Sequence, residues 1–218
     1  MISGKTNHPI IFFGSEEFSL YSLRALVEAG FDIAAVVTKP DTPRGRGHRL
    51  QAPAVKQFAL QHGIEVWQPS SLNDLLPLIE PLKPVTGVLV SYGRIIPENV
   101  LDAFTPAIIN VHPSLLPHYR GPSPIEAAIA NRDNKTGVTI MKLVKAMDAG
   151  PMYYQVPYAL DGTESRPELY ETLGMLGAQA LTSKLPEIIN GTLTAEDQDE
   201  SLATYCRLLG KQETYIDL

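Results

Sequence analysis

The hydrophobic positions of this chain alternate between short continuous runs and longer segments with helical spacing. Apolar runs at residues 10–13, 31–38, 85–91 and 108–112 are typical of strands buried on both faces of a parallel sheet. Between them, residues 16–29, 54–62 and 72–79 carry apolar side chains at helical spacing, and a short strand is predicted at 65–67. This order predicts an α/β fold with a doubly wound, mostly parallel sheet and helices on both faces.

The second half of the chain predicts a different arrangement of the same kinds of element. A loop at 113–122 is followed by a helix at 123–131, two strands at 137–144 and 152–160, and a long helix at 166–189. Gly174 and Gly177 lie inside that helix and disfavour it locally, because glycine weakens helix interiors. Residues 187–218 hold seven acidic and two basic residues, which predicts a polar, partly extended tail.

Composition narrows the class of protein. The chain has 218 residues, enough for one large domain or two small ones, and its single cysteine excludes an internal disulfide. Its apolar runs are far shorter than the roughly 20 residues that span a bilayer, and the polar start shows no signal peptide. We therefore expect a cytoplasmic enzyme with no membrane contact. The net charge of −6, taken alone, argues against a surface that binds nucleic acid throughout.

One segment departs from that acidic balance. Residues 39–56 carry a local charge of +4, and their prolines and glycines predict a mobile, extended loop. A basic arm on an acidic protein indicates a polyanionic partner such as RNA phosphate, although a solvated surface loop fits the composition equally well. Its charged residues are Lys39, Arg44, Arg46, Arg49 and Lys56, against one acid, Asp41.

The densest cluster of candidate chemistry lies at residues 109–117. In a strand at 108–112, Asn110 and His112 point to the same face, because side chains alternate with a period of two. Open α/β sheets bind their ligands beyond the carboxyl ends of the strands, where this pair lies. An amide that stabilises an oxyanion beside an imidazole that moves a proton suits acyl transfer. The alternative is a buried histidine bonded to the backbone.

Asp148 is the third candidate. It lies in a turn, residues 145–150, between two apolar strands, and could reach the same sheet edge. A carboxylate there would fix the tautomer of the imidazole and stabilise its cation. The alternative is an aspartate that bonds the backbone of its own turn.

Other kinds of site are disfavoured. Gly14 follows the first strand, but no G-x-G-x-x-G pattern is present and two acids follow it, which argues against a nicotinamide or flavin cofactor. The five histidines include no pair at i, i+4, and one cysteine cannot form a thiolate set, so no metal site is predicted. The absence of G-x-S-x-G disfavours a serine hydrolase.

Six segments together resemble the folate-dependent formyltransferases, and among these the enzymes that act on methionyl-tRNA. The resemblance covers nearly the whole chain, and its most specific parts are the N-x-H-P-S-L-L-P motif with the R-G pair that follows it, and the M-D-A-G motif. The segments are IIFFGSEEF, VVTKPDTPRGRGHRL followed by APAVK, VLVSYGRIIP, INVHPSLLPHYRGPSPIEAAI, GVTIMKLVKAMDAGPM and DESLATYCRLLGKQETYID.

The resemblance implies a Rossmann-like formyltransferase fold and a role for particular residues. The family's catalytic triad falls on Asn110, His112 and Asp148. Its folate-binding loop falls on Ser114, Leu115, Leu116 and Pro117, and its pteridine pocket lies near Ser91 and Tyr92. The arginine that the tRNA enzymes insert into the acceptor end of tRNA falls on Arg46, with Arg44, Arg49 and Lys56 as further tRNA-binding candidates.

The implied reaction moves a formyl group from 10-formyltetrahydrofolate to the amino group of methionine on charged initiator tRNA. It needs no metal, and the resemblance leads us to expect a monomer. Two other functions stay open: an N-formyltransferase for nucleotide amino sugars, and a non-catalytic folate- or RNA-binding module. The expected domains are a catalytic domain at 1–189 and an acidic connecting segment at 190–218. The family's C-terminal β-barrel domain is absent from this sequence, so we expect either part of a longer protein or a naturally short one.

Overall fold

In the part of the chain that the structure describes, five parallel strands form most of the main sheet, and two antiparallel strands extend one of its edges. The computed structural model describes residues 8–44 and 49–208, with the side chains of Arg44 and Arg49 outside that description. The strands are β1 (Ile10–Gly14), β2 (Ile33–Val37), β3 (Thr42–Arg44), β4 (Arg49–Gln51), β5 (Glu65–Trp67), β6 (Thr86–Val90), β7 (Ile108–His112), β8 (Lys135–Lys142) and β9 (Met152–Ala159). The main sheet has the order β5-β2-β1-β6-β7-β8-β9, with β8 and β9 antiparallel to their neighbours.

Helices cover both faces of this sheet. They are α1 (Ser19–Glu28), α2 (Ala54–Gln61), α3 (Leu76–Ile79), α4 (Glu98–Leu101), α5 (Pro124–Ala130) and α6 (Arg166–Ile189), with 3₁₀ turns at Leu72–Leu75, Glu80–Leu82 and Glu200–Leu202. Alternation along β1 sends Ile10 and Phe12 into the apolar layer under α1, α2, α5 and α6. Ile11 and Phe13 enter the opposite layer, under α3 and α4. The predicted doubly wound, mostly parallel α/β sheet is confirmed.

Helix α6 is one unbroken helix of 24 residues with the predicted bounds, and its two glycines do not interrupt it. Both glycines lie where another side chain leaves no room for a Cβ atom. Gly174 faces the ring of Tyr21 on α1, and a Cβ on Gly177 would lie 2.8 Å from Cγ1 of Val111 on β7. The helix therefore accepts the cost of glycine because close packing against α1 and the sheet requires it.

Two elements differ from the sequence prediction. The basic arm, predicted as a loop, contains β3 and β4, which pair as an antiparallel ribbon in which Thr42 faces Gln51, and its last residues begin α2. Its tip, residues 45–48, lies outside the described residues. Helix α4 escaped prediction because four residues after a proline are too short to show a helical period.

Tyr170 on α6 and Glu126 on α5 join these two helices. The Tyr170 hydroxyl donates to Glu126 Oε1 at 2.7 Å, and Arg166 Nε donates to the same oxygen at 2.8 Å. Burial, followed by the hydrogen bond to Glu126, raises the pKa of Tyr170 from 10.0 to about 12. The raised pKa favours the protonated phenol in the folded state, so its stabilisation is complete below the unfolded value and is lost as the pH rises through about 12.

We therefore expect the stability advantage of the wild type over Tyr170→Phe to shrink as the pH rises above 10.0. The measurement is the free energy of unfolding in urea for both proteins at several alkaline pH values. A difference between them that stays constant across that range would contradict the raised pKa.

Candidate functional site

Asn110 and His112 lie at the carboxyl end of β7, next to the point where the sheet changes from parallel to antiparallel. Both residues are only 5% exposed. The Nε2 atom of His112 lies 2.9 Å from the backbone oxygen of Tyr119. A carbonyl can only accept, so Nε2 carries the hydrogen and a neutral ring keeps its lone pair on Nδ1. The histidine is thus bonded to backbone through one nitrogen, while the other remains available for chemistry.

Asp148 lies beside that other nitrogen. Its Oδ1 atom is 3.8 Å from His112 Nδ1, and its Oδ2 atom accepts the Gly121 N–H at 2.8 Å. The carboxylate therefore bonds the loop after β7, and no described contact joins it to the backbone of its own turn. Asp148 has φ of +47°, a left-handed conformation that non-glycine residues rarely adopt and that is enriched at functional sites.

The amide of Asn110 makes no side-chain hydrogen bond within the described part of the chain, although the residue is buried. Its amide atoms are not among the fully buried, unpaired polar atoms of the described residues, so they keep some contact with solvent and a ligand can reach them. An amide that can donate two hydrogens beside an imidazole–carboxylate pair is suited to bind an oxygen that gains negative charge.

The loop at 114–117, expected to bind folate, is held in shape by its own backbone oxygens. Each of its four carbonyls accepts a hydrogen bond from elsewhere in the chain. The donors are Thr139 Oγ1 to Ser114, the His118 N–H to Leu115, Gln155 Nε2 to Leu116 and the Thr204 N–H to Pro117. The Ser114 hydroxyl is buried and donates to the His118 carbonyl at 2.6 Å. This loop therefore offers a ligand a fixed shape rather than the serine hydroxyl.

Thr139 on β8 is the centre of that arrangement. Its buried hydroxyl donates to the Ser114 carbonyl at 2.7 Å and accepts from the Leu116 N–H at 3.1 Å. We expect Thr139→Val to lower the free energy of unfolding by about 1–3 kcal/mol for each buried group left unpaired. The same change should weaken binding of a folate donor, since the loop loses its anchor. Urea unfolding and equilibrium binding of the donor measure the two effects.

The matched control lies on the same strand. The hydroxyl of Thr136 is buried and has no hydrogen-bond partner among the described residues, so Thr136→Val should be neutral or stabilising. Equal losses in the two valine variants would show that the loop does not depend on Thr139.

Ser91 and Tyr92 follow β6, the strand next to β7. Ser91 has φ of +45°, and its carbonyl lies 3.3 Å from the Ser15 nitrogen. The Tyr92 side chain is fully buried and packs edge-on against Phe13 at 5.7 Å. Burial raises the pKa of its phenol, and the nearby Arg94 opposes that shift. The backbone turn at Ser91 and Tyr92 lies at the edge of the sheet, whereas the Tyr92 ring lies in the core.

The basic arm is only partly described. Arg46 lies outside the described residues, and Arg44 and Arg49 face each other across the ribbon by their backbones. Lys56, expected as a tRNA-binding cation, is already paired: its Nζ lies 2.9 Å from both oxygens of Asp41 and 2.7 Å from Gln68 Oε1. The tRNA-binding role of Lys56 stays a prediction, with its ammonium already held by two partners at the base of the arm. The hydrogen bond from Gln68, with that from Lys56, lowers the pKa of Asp41.

Arg120 is a site residue to which the sequence assigned no role, although it belongs to the most specific motif. It is 1% exposed, and its neighbours Tyr119 and Gly121 are the two residues that bond His112 and Asp148. Its guanidinium contacts Gln198, in the segment after α6. The available signal was the R-G pair of that motif, but the partner of Arg120, Gln198, lies 78 positions away.

Residues 8–44 and 49–208 contain no group of three or more histidine, cysteine or acidic side chains placed to hold a metal ion. None of their helices has the length and apolar character needed to cross a membrane.

Comparison with known proteins identifies the site's family. Residues 9–185 match the family model described as "Formyl transferase". The chain belongs to the formyl transferase family. A methionyl-tRNA formyltransferase from Stutzerimonas stutzeri (strain A1501) is 42% identical over 210 residues, which cover 95% of this chain and 67% of that protein. One from Dictyoglomus turgidum is 44% identical over 213 residues, again covering 95% of this chain and 67% of that protein.

A solved formyl transferase structure supports the same fold. The N-formyltransferase from Helicobacter canadensis, in complex with folinic acid and dTDP-3-aminofucose, superposes with a TM-score of 0.73 at 20% identity. The superposition covers 94% of this chain and 71% of that chain. At this identity the likeness shows the formyl transferase fold.

Proposed function

We propose that this chain transfers the formyl group of 10-formyltetrahydrofolate to the α-amino group of methionine on charged initiator tRNA. One observation carries the proposal: an unpaired amide and an imidazole–carboxylate pair meet at the carboxyl end of β7. The methionyl-tRNA formyltransferases that match 95% of the chain support this choice of acceptor.

Asn110 has the role of oxyanion donor. The neutral methionyl amine attacks the formyl carbon, a carbon–nitrogen bond forms, and the formyl oxygen gains negative charge. The free amide of Asn110 donates a hydrogen bond to that oxygen. Because the amide has no other partner among the described residues, no hydrogen bond has to break before it binds this oxygen.

His112 and Asp148 handle the proton. Nε2 already donates to the Tyr119 carbonyl, so Nδ1 is the ring atom that accepts the proton from the attacking amine. The carboxylate of Asp148 faces Nδ1 and stabilises the resulting imidazolium. Breakage of the bond between the formyl carbon and N10 then returns a proton to N10, leaving formylmethionyl-tRNA and tetrahydrofolate.

The formyl donor, 10-formyltetrahydrofolate, is proposed to lie against the ends of two adjacent strands, β6 and β7. Ser114, Leu115, Leu116 and Pro117 would form a rigid wall after β7, and Ser91 and Tyr92 would supply the turn after β6 near the pteridine. The internally bonded carbonyls of the 114–117 loop support recognition by shape. The unpaired amide of Asn110 fits a formyl oxygen at the end of this wall.

The arm is proposed to bind the acceptor end of tRNA through Arg44, Arg46 and Arg49. Each arginine that neutralises a phosphate releases a counterion, so removing three should flatten the log–log salt dependence of tRNA binding by about two to three units. We expect the triple alanine variant to raise KM for tRNA without changing donor binding. Filter binding of tRNA over a range of salt measures the slope.

Lys83→Ala is the matched control for charge, because Lys83 is a partly exposed cation that pairs with Glu80 outside the arm. The log–log salt dependence of tRNA binding by Lys83→Ala should keep the wild-type slope. Equal loss of formyl transfer to a small amine in the arginine variant would contradict a role confined to tRNA.

The deciding experiment for function compares acceptors. Purified protein is given 10-formyltetrahydrofolate with charged initiator tRNA or with a nucleotide 4-amino sugar, at several salt concentrations. Formylation of the tRNA alone is the expected result, with the rate falling steeply as salt rises. Formylation of the sugar alone would favour the nucleotide-sugar reaction, and tight donor binding without turnover on either acceptor would favour a binding module. We expect the protein to act as a monomer in the cytoplasm.

A further inference from the structure

The segment after α6 crosses back over the site. Residues 196–206, which we call the strap, are attached at both ends by backbone hydrogen bonds. Glu196 exchanges two bonds with Met152, at 2.7 and 2.9 Å, just beyond the turn that carries Asp148. At the other end the Arg120 N–H donates to the Thr204 carbonyl at 2.9 Å, and the Cys206 N–H donates to the Arg120 carbonyl at 2.8 Å.

Gln198 lies in the middle of the strap and uses every polar group of its side chain. Its Nε2 donates to the carbonyls of Asp148 at 2.8 Å and Gly150 at 2.7 Å. Its Oε1 accepts from Arg120 Nη2 at 2.9 Å and Nε at 3.1 Å. This 8%-exposed amide therefore links the turn of Asp148 to the loop that holds His112.

Arg120 is the residue of the His112 loop that bonds Gln198. Its guanidinium also bonds both carboxylate oxygens of Glu200, at 2.7 and 2.9 Å, and lies over the ring of Tyr205. A buried charge with this number of partners fixes the backbone on either side of it. On one side the Tyr119 carbonyl accepts from His112, and on the other the Gly121 N–H donates to Asp148.

Gly121 shows how closely the strap approaches. Its φ is +118°, and a Cβ atom on it would collide with the carbonyl oxygen of Cys206. Only glycine allows the backbone that bonds Asp148 to lie directly under the strap.

From these contacts we propose that Gln198 and Arg120 are positioning residues, through which the strap sets the geometry of His112 and Asp148. This role also extends the working catalytic unit past residue 189, because the unit then includes the strap. The expected effect on kcat rests on the proposed function. The expected effect on the position of His112 and Asp148 rests on the hydrogen bonds alone.

The test compares three variants of the full chain. Gln198→Ala removes all four hydrogen bonds, and Gln198→Glu keeps an oxygen for Arg120 but has no N–H for the two carbonyls. Ser201→Ala is the control, because that exposed side chain bonds only Asp199 within the strap. We measure kcat, KM for donor and tRNA, the pH profile of kcat, and the ¹⁵N signals of the His112 ring.

Both Gln198 variants should lower kcat by about 10- to 100-fold, the cost of slight misplacement of catalytic groups, with little change in either KM. The pH profile should move, and the His112 ring should lose its single Nε2–H form. Ser201→Ala should match the wild type in every measurement. If Gln198→Ala is unfolded, Gln198→Glu gives the same comparison.

Wild-type kcat, pH profile and His112 signals in both Gln198 variants would overturn the inference. A wild-type protein that formylates nothing would refute the proposed function instead, and the His112 signals would still decide whether Gln198 positions the ring.

Discussion

His112→Gln is expected to lower the rate of formyl transfer by about 10²–10⁴-fold while leaving the fold and donor binding intact. Glutamine keeps an N–H that can reach the Tyr119 carbonyl, the bond now made by Nε2 at 2.9 Å. It has no lone pair that accepts a proton in place of Nδ1. The attacking amine therefore loses its base. Single-turnover formylation with saturating donor and tRNA measures this loss.

Asp148→Asn tests the same proton transfer from the other side. Its oxygen can keep the Gly121 N–H, which places the new amide nitrogen toward His112 Nδ1. An amide that donates to that lone pair would occupy the base and remove the anion that stabilises its cation, so we expect a loss similar to that of His112→Gln. His118→Ala, an exposed histidine in the same region, is the control and should turn over normally. Full activity in either catalytic variant would remove His112 and Asp148 from the mechanism.

Asn110→Ala is the second change with a large expected effect. Loss of one oxyanion donor typically costs about 10²–10³ in kcat, because the donor acts mainly on the transition state. Its KM values should therefore change little. The Asn110→Asp variant has the same shape but supplies acceptors in place of donors and adds negative charge where the oxyanion forms, so it should be slower than Asn110→Ala.

The comparison of these two variants separates a donor from a space-filling residue. Steady-state kcat and KM, with thermal unfolding as the check on folding, measure the difference. An Asn110→Asp enzyme as fast as the wild type would show that the amide hydrogens do no chemistry.

Much of the fold followed from hydrophobic spacing in the sequence. The apolar run at 108–112 predicted β7 with its observed bounds, and the alternation of side chains in that strand placed Asn110 and His112 together. Asp148 could be placed at the same sheet edge because it lies between two strands that pair there. These inferences work because strand periodicity and the edge of the sheet are local properties of the chain.

The remaining features depend on contacts that no local pattern encodes. Gly174 and Gly177 weaken a helix by propensity, yet packing against Tyr21 and Val111 outweighs that preference. Lys56 counts as a cation in the sequence, and only its distance to Asp41 shows that its charge is already paired. Gln198 stands among acidic residues in a segment predicted to be a polar tail, and its bonds to the Asp148 turn span some 50 positions.

The most direct test of the central claim is the amount of formylmethionyl-tRNA made from 10-formyltetrahydrofolate by purified wild-type protein and by His112→Gln at low salt. We predict product with the wild type and a rate about 10²–10⁴-fold lower with the variant, at equal donor binding. No product from the wild type at any salt concentration, or equal rates from the two proteins, would contradict it.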